Sequence, residues 1–459
     1  MKLSKYFFFI AFFSLFSLNQ SKDNIIFTWQ MHRHGARAPY LGVKDGIDVY
    51  KEKWTQIEEL SDVGKRMLYL LGVKVRKRYV DDYHLLSEEY DPQEIYIRST
   101  DVNRTIESIE SFLQGLYPNG TGPTIEDKVI NNKEIIYPPN KKYKEHFENV
   151  TNEYDLNDNK WALPFGMSFL PVHLFYKPLH EFGLYDSNLC LGHKELNAKL
   201  KVRKEVIDFG DELLKNFTFL SELENVDKSN KTFIQDYWTI YKYMDGFVCD
   251  DTDRRSFDYM RRTYSFDEKK ELLKNASDIF LRMDYFGTNY PEGHEEIPIV
   301  ANSYTMHSLV NWMEKAIEGN ENNQKYIKYV IYSAHDSSIG ALEHFMKYVF
   351  DVTPQYAKFA ETRFFELYIN SQNEKRVRYL KGDNDIIKDM TFEEFKTVIN
   401  KRTYNDEKVD EYCKFEKKID TNKKDDENDA EQTSIIAMIL LIIINLILLL
   451  ILVLILLKH

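Results

Sequence analysis

Apolar positions change their rhythm twice along the chain. From Asn24 to about Leu116, short apolar runs alternate with amphipathic stretches. Ile25-Ile26-Phe27-Thr28-Trp29-Gln30-Met31 runs into a polar loop and predicts a buried strand. Ser61 opens a helical stretch in which Val63, Met67, Leu70 and Leu71 recur at helical spacing. Glu94-Ile95-Tyr96-Ile97 predicts a second strand. Asp101 to Leu116 then sets Val102, Ile106, Ile109, Phe112, Leu113 and Leu116 on one stripe. Strand, helix, strand, helix is the pattern of a parallel α/β sheet.

Between about 125 and 300 the alternation stops. Charged helical stretches, Glu195 to Leu214 and Phe266 to Tyr285, are joined by loops rich in Tyr and Phe. Strand patterns return at Tyr329-Val330-Ile331-Tyr332-Ser333, and Phe364 to Ile369 with Arg376 to Leu380 predicts a hairpin. The expected organisation is an α/β core from residues 22–125 and 301–415, with a mainly helical cap, 126–300, inserted between its halves.

The ends follow different rules. Lys2 and Lys5 precede an apolar stretch from Tyr6 to Leu18, so 1–21 is expected to be a signal peptide. Residues 416–434 carry too few apolar side chains to fold and form a polar stalk. Ile435 to Leu457 is uncharged, with Asn445 its one polar interruption, and at 1.5 Å per residue it spans a ~30 Å hydrocarbon layer. A transmembrane helix over 435–457 would leave 458–459 as a cytosolic tail and the globular part luminal or extracellular, a single-pass type I arrangement. A GPI-attachment signal is the alternative reading of the same segment.

Composition narrows the class. A chain of 459 residues, 43% hydrophobic and 14% aromatic, fills a large core, and 18 Gly with 12 Pro exclude a collagen-like chain. A formal charge of −12 argues against a nucleic-acid partner, and three cysteines are too few for a disulfide-built scaffold. Of partners, the apolar end implies the membrane, and a homodimer stays open.

Three predicted strands end in polar clusters, and sites in open α/β sheets form past the carboxyl ends of strands. The clusters are His32-Arg33-His34-Gly35-Ala36-Arg37-Ala38-Pro39, then Arg98-Ser99-Thr100-Asp101-Val102-Asn103-Arg104-Thr105, then Ser333-Ala334-His335-Asp336-Ser337-Ser338. Arg33, Arg37 and Arg98 offer planar guanidinium forks suited to phosphate oxygens. Surrounded by cations, His34 is expected to stay neutral and nucleophilic, and Asp336 can move a proton. Each cluster alone has a bland reading, a basic loop or a salt-bridged surface; their common placement favours chemistry. A metal site is the rival reading, but the flanking arginines repel a cation and no Cys-x-x-Cys, His-Glu-x-x-His or Asp-rich loop occurs, so no metal and no cofactor are expected.

The motifs Arg33-His34-Gly35-Ala36-Arg37-Ala38-Pro39, Arg98-Ser99-Thr100-Asp101 and His335-Asp336 resemble those of the histidine acid phosphatases, the branch containing lysosomal and prostatic acid phosphatases and phytases. The resemblance extends over roughly residues 24 to 415. It implies a phosphoglycerate-mutase-like, mostly parallel sheet sandwiched by helices, and a metal-independent acid phosphatase working through a phosphohistidine. His34 would be the nucleophile, Asp336 the proton donor, and Arg33, Arg37, Arg98 and His335 the phosphate ligands. It also implies that Cys190 and Cys413 pair, leaving Cys249 over. Of the six Asn-x-Ser/Thr sites that follow the expected signal peptide, Asn119, Asn149, Asn216, Asn230 and Asn275 are expected to carry glycans, while Asn103 lies too close to the site. The alternatives are a phytase-like inositol phosphate phosphatase and a catalytically silent surface binding protein on the same fold.

Overall fold

The structure is a computed structural model describing residues 23–39, 57–126, 161–174, 190–201, 204, 245–246, 248–249, 251–252, 265, 267, 274, 295–382 and 385–414. The chain divides into one compact unit ending at Cys413 and a second, Lys414–His459. The expected signal peptide, stalk, 435–457 segment and most of the cap lie outside the described residues, as do Asn149, Asn216, Asn230 and Asn275. Among the described residues no helix is long and apolar enough to cross a membrane.

Seven strands make one sheet: β1 (Asn24–Arg33), β2 (Ile95–Ser99), β3 (His173–Leu174), β4 (Tyr329–Ala334), β5 (Thr362–Ile369), β6 (Lys375–Lys381) and β7 (Asp385–Thr391). Their order is β3-β2-β4-β1-β5-β6-β7. The first four are parallel, and β1–β5, β5–β6 and β6–β7 are antiparallel. The expectation of a mostly parallel sheet is therefore corrected to a mixed one. The cause is local: β5, β6 and β7 follow one another through tight turns, which permit only antiparallel pairing. β3 comes from within the segment expected to be the cap.

Helices cover both faces. On one lie α1 (Asp62–Arg76), continued by a π-helical turn at Lys77–Asp82, and α2 (Asn103–Leu116). Leu68, Val75, Ile109, Phe112, Leu113 and Leu116 pack there against Ile95, Ile97 and Ile331. On the other lie α4 (Glu296–Glu321), α5 (Asp336–Phe350) and α6 (Phe392–Arg402), where Met306, Leu309, Leu342 and Phe395 pack on Trp29, Met31 and Phe365. α3 (Leu191–Lys201) and α7 (Asp406–Cys413) are joined by a disulfide between Cys190 and Cys413.

α1 departs from the expected stripe. Its buried positions are Gly64, Leu68, Gly72 and Val75, while Val63 is 39% and Leu70 51% exposed. Glycines make the seam: a Cβ on Gly72 would stand 2.0 Å from Phe112 O, and one on Gly115 of α2 would stand 2.1 Å from Tyr69 O. Backbones in such contact cannot hold larger side chains between them.

Candidate active site

β1 and β4 run side by side in register, with Arg33 opposite Ala334. The residues that follow each strand therefore emerge together. His34 N–H donates to Ala334 O at 2.9 Å, and the His34 and His335 rings lie 5.6 Å apart. The turn after His34 is shaped by Gly35, whose N–H donates to Ser108 Oγ at 3.0 Å and whose missing Cβ would meet Gly64 O at 2.4 Å. Backbone pairing of Ala38 with Glu59 and of Ser61 with Ala36 pins the rest of the loop.

His34 is buried, and its Nδ1 lies 2.8 Å from Gly35 O. A carbonyl only accepts, so Nδ1 carries the proton and Nε2 keeps its lone pair. Burial, then the charges of Arg33, Arg104, Arg37 and His335, hold the imidazole well below its ordinary pKa of 6.5. His335 is lowered to about 3 by burial and by Arg104, against the opposing pull of Asp336. Its Nε2 lies 3.0 Å from Thr100 Oγ1.

Asp336 opens α5, where the helix N-terminus favours an anion. Its carboxylate bonds Arg33 at 2.6 Å and accepts from Ser337 N–H at 2.9 Å. Burial is the largest single influence and opposes ionisation, yet Arg33, Arg37, His335 and that N–H together hold the carboxyl below its usual range. Arg33 is fixed further by Tyr356 Oη at 2.7 Å, Ala357 O at 2.9 Å and the Phe359 ring 4.2 Å away. Arg37 forms a bidentate pair with Asp245 at 2.7 and 3.0 Å, and Cys249 Sγ lies 3.8 Å from it.

Five of the six residues expected at the site, His34, Arg33, Arg37, His335 and Asp336, thus meet past the ends of β1 and β4. Arg98 is the correction. Along β2, Ile95 and Ile97 enter the core of the α1–α2 face while Tyr96 packs on the other, and alternation sends Arg98 with Tyr96. There it hydrogen-bonds the Tyr332 side chain, its register partner on β4. The third arginine whose charge reaches His34 and His335 is Arg104, in the first turn of α2. Arg104 is held by Glu58 at 3.0 Å, and its buried Nε has no hydrogen-bond partner among the described residues. Arg104 belongs to the second polar cluster, six residues beyond Arg98, whereas Asp245, Glu58 and Tyr356 lie in no motif. Asn103 is exposed and donates to Glu59 Oε1, while Asn119 is exposed in a turn.

A buried neutral imidazole with a free Nε2, ringed by three guanidinium groups, describes a phosphoryl-transfer site. The chain belongs to the histidine phosphatase superfamily (branch 2), whose family model matches residues 25–381. It is a hydrolase of the acid-phosphatase kind within that family. It is 28% identical over 368 residues to lysosomal acid phosphatase of Xenopus laevis, covering 78% of this chain and 69% of that one. The phytase of Citrobacter braakii shares the fold with a TM-score of 0.56 at 14% identity, covering 83% of this chain and 98% of that one. A Hafnia alvei phytase does so with a TM-score of 0.53 at 11% identity, covering 84% and 98%.

Proposed function

We propose that the protein hydrolyses small phosphate monoesters, without a metal, through a phosphohistidine on His34. One observation carries the reading: the Nδ1 contact to Gly35 O leaves Nε2 of a buried, neutral His34 free to attack. In the first step Nε2 bonds phosphorus while the ester oxygen leaves, taking a proton from Asp336. In the second, water attacks the phosphohistidine, Asp336 takes its proton, and phosphate departs. Arg33, Arg37, Arg104 and His335 hold the non-bridging oxygens, Arg104 taking the place first given to Arg98.

Asp336 reaches its protonated state through the substrate. A phosphate on Arg33 shares the charge that otherwise keeps Asp336 ionised, so the bound ester raises the proton affinity of its own acid. That proton is lost as pH rises, which gives an acidic optimum. A luminal or extracellular catalytic part, in the lysosome, at the cell surface or in another endomembrane compartment, follows from the two apolar ends. The disulfide, which needs an oxidising compartment, supports it. Residues 435–457, or a GPI anchor in their place, would keep it at the membrane.

The test is phosphate release from an aryl phosphate by the full-length protein across pH 4–8 with chelator present, beside His34→Ala. Turnover that peaks in acid, ignores chelator and vanishes in the variant is the expected result. Folded protein without turnover would favour a binding role, and chelator-sensitive turnover would refute the metal-free route.

A further inference from the structure

Each arginine of the site faces one carboxylate: Arg33 faces Asp336 at 2.6 Å, Arg37 faces Asp245 at 2.7 Å and Arg104 faces Glu58 at 3.0 Å. A phosphate that uses all three cations meets an anion already paired with each of them. The three are not equally held. The Asp336 side chain is 14% exposed and backed by a backbone N–H, and that of Asp245 is 4% exposed and bidentate. Glu58 is 34% exposed, grips through one oxygen, and has Arg104 as its one hydrogen-bond partner among the described residues. Swinging it into water is the least costly displacement of the three.

Its backbone makes the placement specific. Glu58 has φ of 64°, the left-handed region that a residue with a Cβ seldom occupies. The conformation is held from the next residues onward: Ala38 N–H donates to Glu59 O, Ser61 N–H to Ala36 O, and Leu60 bridges Arg37. The catalytic loop and the Glu58 segment are therefore one paired unit, and the strained residue is the one whose carboxylate reaches the third arginine. Strain of this kind persists where the surroundings over-determine it, and it clusters at functional sites.

We infer that Glu58 is a displaceable anionic gate, occupying on Arg104 the seat of the substrate's phosphate and weakening the binding of phosphate monoesters. The inference rests on the phosphatase reading above. Binding energy of the incoming phosphate is spent in part on moving Glu58, which raises Kd and KM for phosphate and its esters alike.

The experiment uses full-length protein and two variants, Glu58→Gln and Glu58→Gly. Glycine suits a φ of 64°, so the second variant keeps the fold and should melt no lower than wild type. The readouts are the Kd of inorganic phosphate by calorimetry and KM for an aryl phosphate. Both should fall about three- to tenfold in Glu58→Gly and by less in Glu58→Gln, which keeps a neutral acceptor, with kcat moving less than KM. If phosphate binds the variants no tighter, or more weakly, Glu58 orients Arg104 rather than competing for it and the gate is refuted. Wild type that releases no phosphate from the ester would instead overturn the phosphatase reading itself.

Discussion

Arg98 and Arg104 stand at opposite ends of the turn between β2 and α2, and the chemistry separates them by direction rather than by distance along the chain. Arg98 follows the strand's alternation and ends on Tyr332; Arg104, one helical step past the turn, adds its charge to His34 and His335. Removing one fixed charge donor from a site of this kind costs about 10²–10³ in rate. Arg104→Ala should therefore lower kcat/KM for an aryl phosphate by about that factor, and Arg98→Ala by less than tenfold; the reverse ranking would return the phosphate-binding role to Arg98. His34, Arg33, Arg37, His335 and Asp336 were legible because strand ends in a parallel sheet converge. The choice between the two arginines was not, since it depends on which face β2 presents at its last turn. Asp245 and Glu58 were invisible for another reason: they reach the site from segments whose sequence carries no recurring pattern.

Helices were read from their apolar periodicity, and this served α2 better than α1. Ile109, Phe112, Leu113 and Leu116 are buried as expected, whereas the α1 stripe of Val63 and Leu70 faces solvent. The two helices approach through glycine, and glycine contributes nothing to a hydrophobic pattern while allowing the closest packing. Gly72→Ala puts opposing effects against each other. Alanine favours the helix by ~1 kcal/mol. A Cβ 2.0 Å from Phe112 O forces α1 and α2 apart, and overpacking of that kind costs ~1–3 kcal/mol or more. The clash should win, lowering stability by a net of up to ~2 kcal/mol, read as a lower urea midpoint at unchanged slope. A neutral or stabilising result would mean that the helices separate freely. The same contact reaches the site, because Gly64 on α1 backs Ala36 and Gly35 in the catalytic loop. β7 carries no strand pattern in its sequence, because its residues are mostly exposed and show no buried alternation.

Across the whole molecule, the site's chemistry and the fold's stability pull in opposite directions with pH. Burial lowers His32 to about 4, His335 to about 3 and His344 to about 4, and His34 lies well below its ordinary value. In the unfolded chain these imidazoles titrate near 6.5, so below that pH the unfolded state binds more protons and stability falls. Each histidine contributes ~1.4 kcal/mol per pH unit, fully present above 6.5 and lost progressively down to its folded pKa. Asp336, Glu361 and Glu366, all held below the usual carboxylate range, add losses of the same sign at still lower pH. The melting temperature should therefore fall steadily from pH 6.5 to pH 4, the range in which the proposed chemistry speeds up, and bound phosphate should restore part of it. His344 isolates the effect: it lies inside α5, eight residues beyond Asp336, with Nδ1 2.8 Å from Gly340 O. His344→Gln removes one proton from the uptake on unfolding, so ΔG of unfolding measured at pH 6.5, 5.5 and 4.5 should decline less steeply by ~1.4 kcal/mol per pH unit. An unchanged slope would show that His344 protonates in the folded protein as readily as in water, and the acid sensitivity would then belong to the histidines and carboxylates of the site itself.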